Sequence, residues 1–265
     1  MKQIKLITFV IAALSPAVFP TLALAELPSG DDIAKNINAR DEGVAVARNL
    51  KMEMVDRRGK SRVRETRAFR KYFGDEKRTA IFYLTPKNVK DTAFLTYDYE
   101  DHALDDDQWL YLPAMRKVRR ISASDRGDYF LGTDFTYEDI KLETRVSIKD
   151  YTFKTIGESQ VDGKHCLILE STPINNTTAK ELGYSKVEQC VDDEIWLVRQ
   201  AKMWDVKGKP LKTLHVYDVR QVNAIWTAHG MEIENHKTGH HTKFTFSDVK
   251  YEQGINDSIF TTKSI

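Results

Sequence analysis

The sequence lacks the local signatures of the common enzyme classes. It contains no G-x-S-x-G elbow, Walker loop, Rossmann glycine pattern or H-E-x-x-H motif, the patterns that present a nucleophile or hold a phosphate, a dinucleotide or a zinc ion. It also has no excess of either charge, because its formal net charge is +1 at pH 7. A near-neutral chain has no general electrostatic attraction to nucleic acid or anionic membranes. We therefore expect a protein that is not an enzyme, uses no cofactor and does not bind nucleic acid.

Long hydrophobic runs are scarce, and the one at the N-terminus is typical of a secretory signal peptide. Two lysines precede the apolar stretch 6–14, and the small residues Ala23-Leu24-Ala25 form a cleavage site. A retained membrane anchor is the alternative, but the apolar run is short for a span and prolines follow it. We expect removal of residues 1–25, export to the periplasm of a Gram-negative bacterium, and a soluble monomer with one domain over residues 26–265.

Cysteine is nearly absent, since Cys166 and Cys190 are the only two. Neither lies near the cleavage site, so we expect no lipid-modified terminus. The segment 173–183 between them has the composition of a loop, and folding the chain about it brings the cysteines opposite each other. In an oxidising compartment we expect a cross-strand disulfide, with two buried free thiols as the alternative.

Metal ligands and catalytic acids are sparse as well. The closest approach to a metal site is the set His229, His236, His240 and His241. Two of these histidines are adjacent, so in a strand they would point to opposite faces, and they follow a glycine typical of a hairpin tip. Asp105-Asp106-Asp107 lacks the spacing of a calcium loop. Asp134 and Glu138 could serve acid–base chemistry, but we interpret them as charges at a helix N-terminus. We expect no metal site and no catalytic residue.

Short β-type segments, by contrast, are abundant. About ten or eleven strands with short connections run from residue 45 to residue 250, a pattern typical of one antiparallel sheet closing on itself. A short amphipathic helix begins after Ser29, and the charged stretch 62–73 suits a sheet edge. We predict a mainly β protein with a few helices, its single antiparallel sheet curved into an open or half β-barrel.

A hairpin formed by residues 79–85 and 92–99 has two apolar faces. Pairing Phe82 with Leu95 places Phe82, Leu84, Leu95 and Tyr97 on one face and Ile81, Tyr83 and Phe94 on the other. Because both faces are apolar, each needs a cover. We predict that the first set lines a ligand cavity and that the second meets the opposite cover, although the register alone does not fix which face is inside.

Residues 107–140 interrupt the strand series. The stretch begins as a strand that is stopped by Pro113 and that carries Leu110 and Leu112, which we also assign to the cavity. Aromatic residues then reappear among acidic ones. We predict that residues 127–140 form a mobile lid whose side chains Phe130, Phe135 and Tyr137 fill the cavity when it is empty. The alternative is that these three aromatics are ordinary core.

A basic run lies inside the same stretch. Arg116, Arg119 and Arg120 could contact an anionic partner or lipid head groups. The alternative is an exposed strand end whose arginines pair with Asp125, Asp128 or Asp134. We keep both interpretations open.

The same stretch carries a family resemblance. The matching residues are Trp109, Tyr111, Leu112-Pro113, Val118-Arg119-Arg120-Ile121 and the run 132–139, continued by Arg62-Val63-Arg64, Asp218-Val219, Phe246-Ser247-Asp248-Val249 and Asp257-Ser258-Ile259-Phe260. In these positions the chain resembles the outer-membrane lipoprotein-sorting proteins, periplasmic carriers of the LolA type. The resemblance spans nearly all of the chain after the signal peptide. It implies an open β-barrel with a helical lid.

The resemblance also implies a function. Its members are soluble carriers that bind acyl chains, and the relatives most like this sequence are associated with exporters of the resistance-nodulation-division type. We therefore expect a carrier that moves a lipoprotein, lipid or other amphiphile from an inner-membrane transporter to an outer-membrane acceptor. The alternative is a non-enzymatic adaptor or structural subunit of a cell-envelope assembly, without lipid cargo.

Overall fold

The computed structural model of the protein describes residues 26–99, 101, 104–251 and 254–265. The predicted signal peptide, residues 1–25, lies outside the described residues. The elements are α1 Gly30–Ala39, β1 Ala45–Val55, β2 Ser61–Phe73, β3 Glu76–Thr85, β4 Ala93–Asp98, β5 Asp107–Leu112, β6 Lys117–Ile121, α2 Tyr137–Leu142, β7 Tyr151–Val161, β8 Lys164–Pro173, α3 Asn176–Leu182, β9 Tyr184–Asp192, β10 Leu197–Asp205, β11 Pro210–Val222, β12 Ile225–Asn235 and β13 His240–Tyr251.

The described strands form one 13-stranded antiparallel sheet in the order β6-β5-β4-β3-β2-β1-β13-β12-β11-β10-β9-β8-β7. The chain runs from the centre to one edge through β1 to β6, crosses to the other edge, and returns through β7 to β13, which pairs with β1. Residues 122–150 make the crossing. The sheet is curved and unclosed, so the predicted mainly β fold with an open antiparallel sheet is confirmed.

Apolar side chains cover both faces of this sheet, as its two-sided hydrophobic pattern requires. We call the face with the larger cluster the inner face; Ile33 and Ile37 of α1 pack there with strand residues and with residues of the crossing segment. On the outer face, a smaller cluster is closed by the C-terminal segment, where Ile255 and Phe260 pack against Ala80 and Leu95. Both faces are therefore covered by other parts of the chain.

The hairpin of β3 and β4 forms with a register two residues away from the expected one. Phe82 lies opposite Ala93, and Leu95 lies opposite Ala80. Because side chains alternate with a period of two, a slip of two residues preserves which residues share a face. The division into two sets is therefore observed, but Phe82 and Leu95 lie on the outer face.

Strand β2 corrects another expectation, because it lies between β1 and β3 rather than at an edge. Its charges are tolerated inside the sheet because they have partners. Arg70 is buried, and its Nη1 donates to a carboxylate oxygen of Glu42 at 2.6 Å. Arg67 donates to the side chains of Asn49 and Asp248, at 2.9 and 3.1 Å.

The predicted Cys166–Cys190 disulfide is confirmed. It joins the neighbouring strands β8 and β9 across a Cα–Cα distance of 5.3 Å, and both residues are buried. The segment between the two strands is not a plain loop, because it contains α3. Asn175 caps this helix through its side chain, and Gly183 ends it in the left-handed region with φ +79°, where glycine is favoured.

Candidate ligand cavity and its lid

The segment that joins the two edge strands covers the inner face. Phe130, Phe135 and Tyr137 are all buried in the inner-face cluster, together with α1 and the central strands. We use the term lid for residues 127–140 of this segment. The lid therefore covers the face that carries Ile81, Tyr83 and Phe94, not the face of Phe82 and Leu95 that was expected to line the cavity.

The local structure of the lid follows from its sequence. The Thr136 hydroxyl accepts from the Asp139 backbone N–H, and the Asp139 carboxylate accepts from the Thr136 backbone N–H. This capping box starts α2 at Tyr137. Before it, Tyr129 and Thr136 form an isolated antiparallel bridge that closes the loop between them. The lid is thus a compact loop followed by a short helix.

On the N-terminal half of the sheet the lid is held by aromatic packing. Phe130 contacts Phe94 of β4 with ring centroids 5.0 Å apart, and it contacts Tyr137 at 5.4 Å. Tyr137 in turn lies 5.8 Å from Phe94. The three rings form a closed triangle, which fixes this side of the lid to β4.

On the C-terminal half the lid borders a cavity. Phe135 stacks on Phe244 of β13 with ring centroids 4.0 Å apart and planes 12° apart. Beside the Phe135 ring lies a cavity of about 70 Å³, well below the roughly 300–1,000 Å³ typical of ligand sites. Its sheet side is mainly apolar: Ser171 and Gln189 are polar, and the apolar strand residues that line it include Val187, Val198, Met203, Leu214, Val216 and Ile233.

Polar contacts also hold the lid. The Asp134 carboxylate accepts from Asn235 at 3.0 Å and from Thr242 at 2.8 Å. The Arg64 guanidinium donates to the carbonyl oxygen of Leu131 at 2.6 Å. Asp134 and Glu138 therefore do not act as a charge pair at one helix terminus. Asp134 binds the sheet, while Glu138 lies in the first turn of α2.

A buried charge network surrounds the far end of the lid. The Lys141 ammonium contacts Glu138 at 2.8 Å and also contacts Asp106. Burial lowers the pKa of Lys141, but the carboxylates of Glu138, Asp98 and Asp106 outweigh it and raise the pKa above its ordinary value. Burial raises the pKa of Glu138, against the opposite effects of Lys141 and Arg126. The network ties α2 to the segment before β5.

The structure divides the predicted cavity residues between two faces. Phe135 borders the cavity, and Phe130, Tyr137 and Leu110 are buried in the same inner-face cluster, with Leu112 packed against it. The other members of the predicted set do not join them. Phe82, Leu95 and Tyr97 belong to the outer-face cluster, and Leu84 is exposed.

Tyr97 shows why the outer face is not a cavity. Its hydroxyl donates to the carbonyl oxygen of Phe260 at 2.6 Å, and its ring lies 4.9 Å from Trp109. The C-terminal segment therefore occupies the space that a ligand would need.

The basic run is exposed, and two of its members have acidic partners. Arg119 pairs with Asp125 at 3.0 Å, and Arg120 donates to Asp107 at 2.7 Å. Arg116 occupies the left-handed region with φ +49° at the turn before β6. The alternative interpretation, an exposed strand end with paired arginines, thus fits Arg119 as expected, whereas the partner of Arg120 is Asp107 rather than Asp125, Asp128 or Asp134.

The histidines do not converge on one point. The buried His229 side chain lies near the backbone oxygens of Asp218 and Thr227, and His240 begins β13 after the turn that ends β12. Within the described ranges, no three His, Cys, Asp or Glu side chains come together as metal ligands would.

Sequence reasoning missed two inward-pointing polar residues. Arg64 enters the sequence analysis only within the segment Arg62-Val63-Arg64 that resembles the carrier family. Lys212 shares an alternating face with Leu214 and Val216 of β11, so strand periodicity alone could have indicated that it points inward. Lys212 is 1% exposed.

Comparison with known proteins agrees with this fold. A family model described as "Uncharacterized protein" matches residues 75–265. The structure of a DUF1329 family protein from Desulfovibrio piger is 30% identical, with a TM-score of 0.81, and the match covers 89% of this chain and 97% of that one. The chain belongs to the DUF1329 family. No curated protein matches the sequence.

Two further structures place this DUF1329 protein among lipoprotein-sorting folds. A putative outer membrane lipoprotein-sorting protein domain from Vibrio parahaemolyticus is 30% identical, with a TM-score of 0.80, over 89% of this chain and 97% of that one. A LolA superfamily protein from Nitrosomonas europaea, 19% identical, has the same fold with a TM-score of 0.68, over 90% of this chain and 100% of that one. The predicted resemblance is confirmed. In the described part of the DUF1329 chain, no helix has the length and apolarity of a transmembrane span.

Proposed function

We propose that the protein is a non-enzymatic periplasmic carrier that binds the acyl chains of a lipoprotein, lipid or other amphiphile beneath its lid. The observation that carries the proposal is the position of Phe135, whose ring stacks on Phe244 and borders an apolar cavity of about 70 Å³. Displacement of this ring would join its volume to the cavity. The similarity to lipoprotein-sorting and LolA superfamily structures supports the same class of function.

The energetics favour a lid that exchanges with the ligand. Burial of an acyl chain is worth about 0.8 kcal/mol per methylene, so several chains in an open cavity would bind almost irreversibly. A carrier has to release its cargo. When the lid's own ring fills the empty site, the ligand must displace it, and the net affinity is reduced by the packing energy of the ring.

Native mass spectrometry and lipid extraction of protein purified from the periplasm test the proposal. A co-purifying acyl species is expected. A matched pair of variants sharpens the test, because Ala201 borders the cavity whereas Ala114 is exposed near β6. Ala201→Phe should fill the cavity and exclude the lipid, while Ala114→Phe should retain it.

Circular dichroism and thermal melting must show that Ala201→Phe is folded. Wild-type protein that carries no lipid, and takes none up when it is offered, would favour the envelope adaptor instead.

We further propose that cargo moves between an inner-membrane transporter of the resistance-nodulation-division type and an outer-membrane acceptor. This rests on the family resemblance alone. Crosslinking in intact cells, followed by identification of the captured proteins, tests it. If neither an inner-membrane transporter nor an outer-membrane acceptor is captured, the proposed transfer between them is contradicted.

A further inference from the structure

A second groove lies beside the lid, next to the apolar cavity. It has a volume of about 690 Å³ and is bordered by the lid, the end of α3, and the turns that follow β10 and β12. Tyr184 borders both the groove and the cavity. Thr136, the residue after the plug Phe135, also borders the groove. The groove and the cavity are therefore neighbours that share a wall and a lid.

Lysines from separate elements converge on this groove. The four exposed ones are Lys180, Lys207, Lys209 and Lys237. None of the four makes an ion pair with another residue that the structure describes. Two acids, Asp128 and Asp205, also border the groove. The lining thus has a clear excess of positive charge.

Asp205 offsets part of the charge of these lysines, and it also shapes the turn that carries two of them. Its carboxylate accepts the backbone N–H groups of Lys207 and Lys209, at 2.8 and 2.9 Å. These two backbone bonds lower the pKa of Asp205, that from Lys209 most strongly. The acid therefore organises the turn that carries Lys207 and Lys209, and together with Asp128 it leaves the five lysines of the lining in excess.

The wall of the groove holds a buried lysine. Lys212 is 1% exposed and borders the groove. Its ammonium donates to the Tyr184 hydroxyl at 3.0 Å, and the nearest carboxylate oxygen, of Asp139, lies 3.8 Å away. It also lies 4.6 Å from the centroid of the Tyr129 ring. An ammonium group has three donors. The charges of Asp139 and Asp134 compensate only in part for burial, which still lowers the pKa of Lys212.

We propose that this groove binds the anionic head group of an amphiphile, a phosphate in particular, while the acyl chain enters the neighbouring cavity. An anionic oxygen beside Lys212 would offset the desolvation of its ammonium, and the exposed lysines would attract the anion at longer range. The inference rests on the proposed carrier function and adds a selectivity for the charge of the head group.

The test uses displacement of the neutral fluorescent probe N-phenyl-1-naphthylamine from full-length mature protein. Lysophosphatidate and monoacylglycerol with the same acyl chain are compared as competitors. We expect lysophosphatidate to bind more tightly by roughly tenfold at low salt, and the difference to shrink as salt increases, since exposed charges are screened.

Matched variants separate the groove from general charge. Lys207→Gln/Lys209→Gln should weaken lysophosphatidate binding by roughly two- to fivefold per lysine removed and leave monoacylglycerol binding unchanged. The control Lys51→Gln/Lys202→Gln removes two exposed lysines outside the groove and should change neither. Lys212→Met should abolish the preference for lysophosphatidate over monoacylglycerol. Because loss of a buried lysine can also disturb folding, the result for Lys207→Gln/Lys209→Gln is the one that tests the proposal.

Each outcome has one meaning. Equal binding of both lipids, unaffected by the groove variants, would overturn the head-group site while leaving the carrier function intact. Failure of both lipids to displace the probe would count against the carrier function and the head-group site together. If inorganic phosphate alone binds the groove as tightly as lysophosphatidate does, and the acyl chain adds nothing, the groove is a free-phosphate site and the proposal is overturned.

Discussion

The lid meets the two halves of the sheet in different ways. Over the N-terminal half, Phe130 and Tyr137 form a closed triangle of rings with Phe94. Over the C-terminal half, Phe135 stacks on Phe244 and borders the cavity. One short segment therefore combines a packed anchor with a ring at the edge of a void.

This difference suggests how a lid can open without leaving the protein. Rings packed on all sides lose their contacts when they move, whereas a ring beside a void can shift at lower cost. We expect the Phe130 side to stay docked and the Phe135 side to yield to the ligand. The predictions below test this division, beginning with the largest effect.

Removal of the anchor should have the largest effect on stability. Phe130→Ala deletes a fully buried ring and should lower the free energy of unfolding by about 3–5 kcal/mol. Urea denaturation of the lipid-free protein measures this loss, with Met115→Ala, at an exposed position outside the lid, as the control. If Phe130→Ala lowers the free energy of unfolding no more than the control does, Phe130 does not anchor the lid.

Loss of the disulfide should have the next largest effect. It crosslinks β8 and β9, and both strands contribute side chains to the cavity wall. In the chain-entropy model, closure of a loop of this length stabilises by about 3 kcal/mol. Cys166→Ala/Cys190→Ala should show this loss in denaturant titration. Thiol titration of denatured, unreduced wild-type protein should find no free thiol, and two reactive thiols would refute the crosslink in solution.

A third effect concerns Asp150, which lies just before β7 in the segment that crosses from one edge of the sheet to the other. Burial acts to raise the pKa of Asp150, but hydrogen bonds from Arg126 and Ser147 outweigh it and lower the pKa. A carboxyl group whose pKa is lower in the folded than in the unfolded protein stabilises the fold at pH values above its unfolded-state pKa. This contribution is lost as the pH falls through its folded-state pKa. Asp150→Asn should therefore cost about 2 kcal/mol at neutral pH.

The pH profile distinguishes this contribution from simple loss of packing. Thermal melting from pH 7 down to pH 2 should show the gap between wild type and Asp150→Asn closing at acid pH. Asp75→Asn, at an exposed turn, is the control and should track the wild type. A gap that stays constant with pH would mean that the Asp150 charge does not contribute as described.

Loss of the plug should produce the smallest of these free-energy changes when it is measured in lipid binding, and the change should be towards tighter binding. Phe135→Ala removes the ring that the ligand must displace, so lipid affinity should rise by a few fold while the lipid-free protein melts at a lower temperature. Competition with a fluorescent fatty acid measures it. Weaker binding in Phe135→Ala would show that the ring is a fixed part of the ligand's wall, and the contrast with Phe130 would then fail.

The sequence predicted the sheet well because strand alternation and turn residues are local signals. The hairpin of β3 and β4 shows what strand alternation in the sequence can predict and what it cannot. Period-two alternation separated Phe82 and Leu95 from Ile81 and Phe94, even with the register displaced by two residues. It could not tell which face is inner, because that depends on the distant C-terminal residue Phe260, which packs on the outer side.

The candidate site was predicted only in part for the same reason. The lid was found because aromatics occur where strand alternation stops. Its partners come from far along the chain: Arg64 donates to Leu131, and Asn235 and Thr242 hold Asp134. Contacts between residues so far apart in the chain leave no pattern in the local sequence. The interior place of β2 in the sheet, between β1 and β3, leaves no local pattern either, since its arginines find their partners on other elements.

The central claim is that the lid is exchanged for ligand, and hydrogen exchange of the backbone amides in residues 127–140 tests it most directly. The experiment compares lipid-free and lipid-bound protein, with the amides of the paired strands β1 and β2, which do not border the cavity, as an internal reference. Displacement of Phe135 by an acyl chain should speed exchange in the lid while the reference strands stay protected. Equal or slower exchange in the lid when lipid is bound would contradict the account.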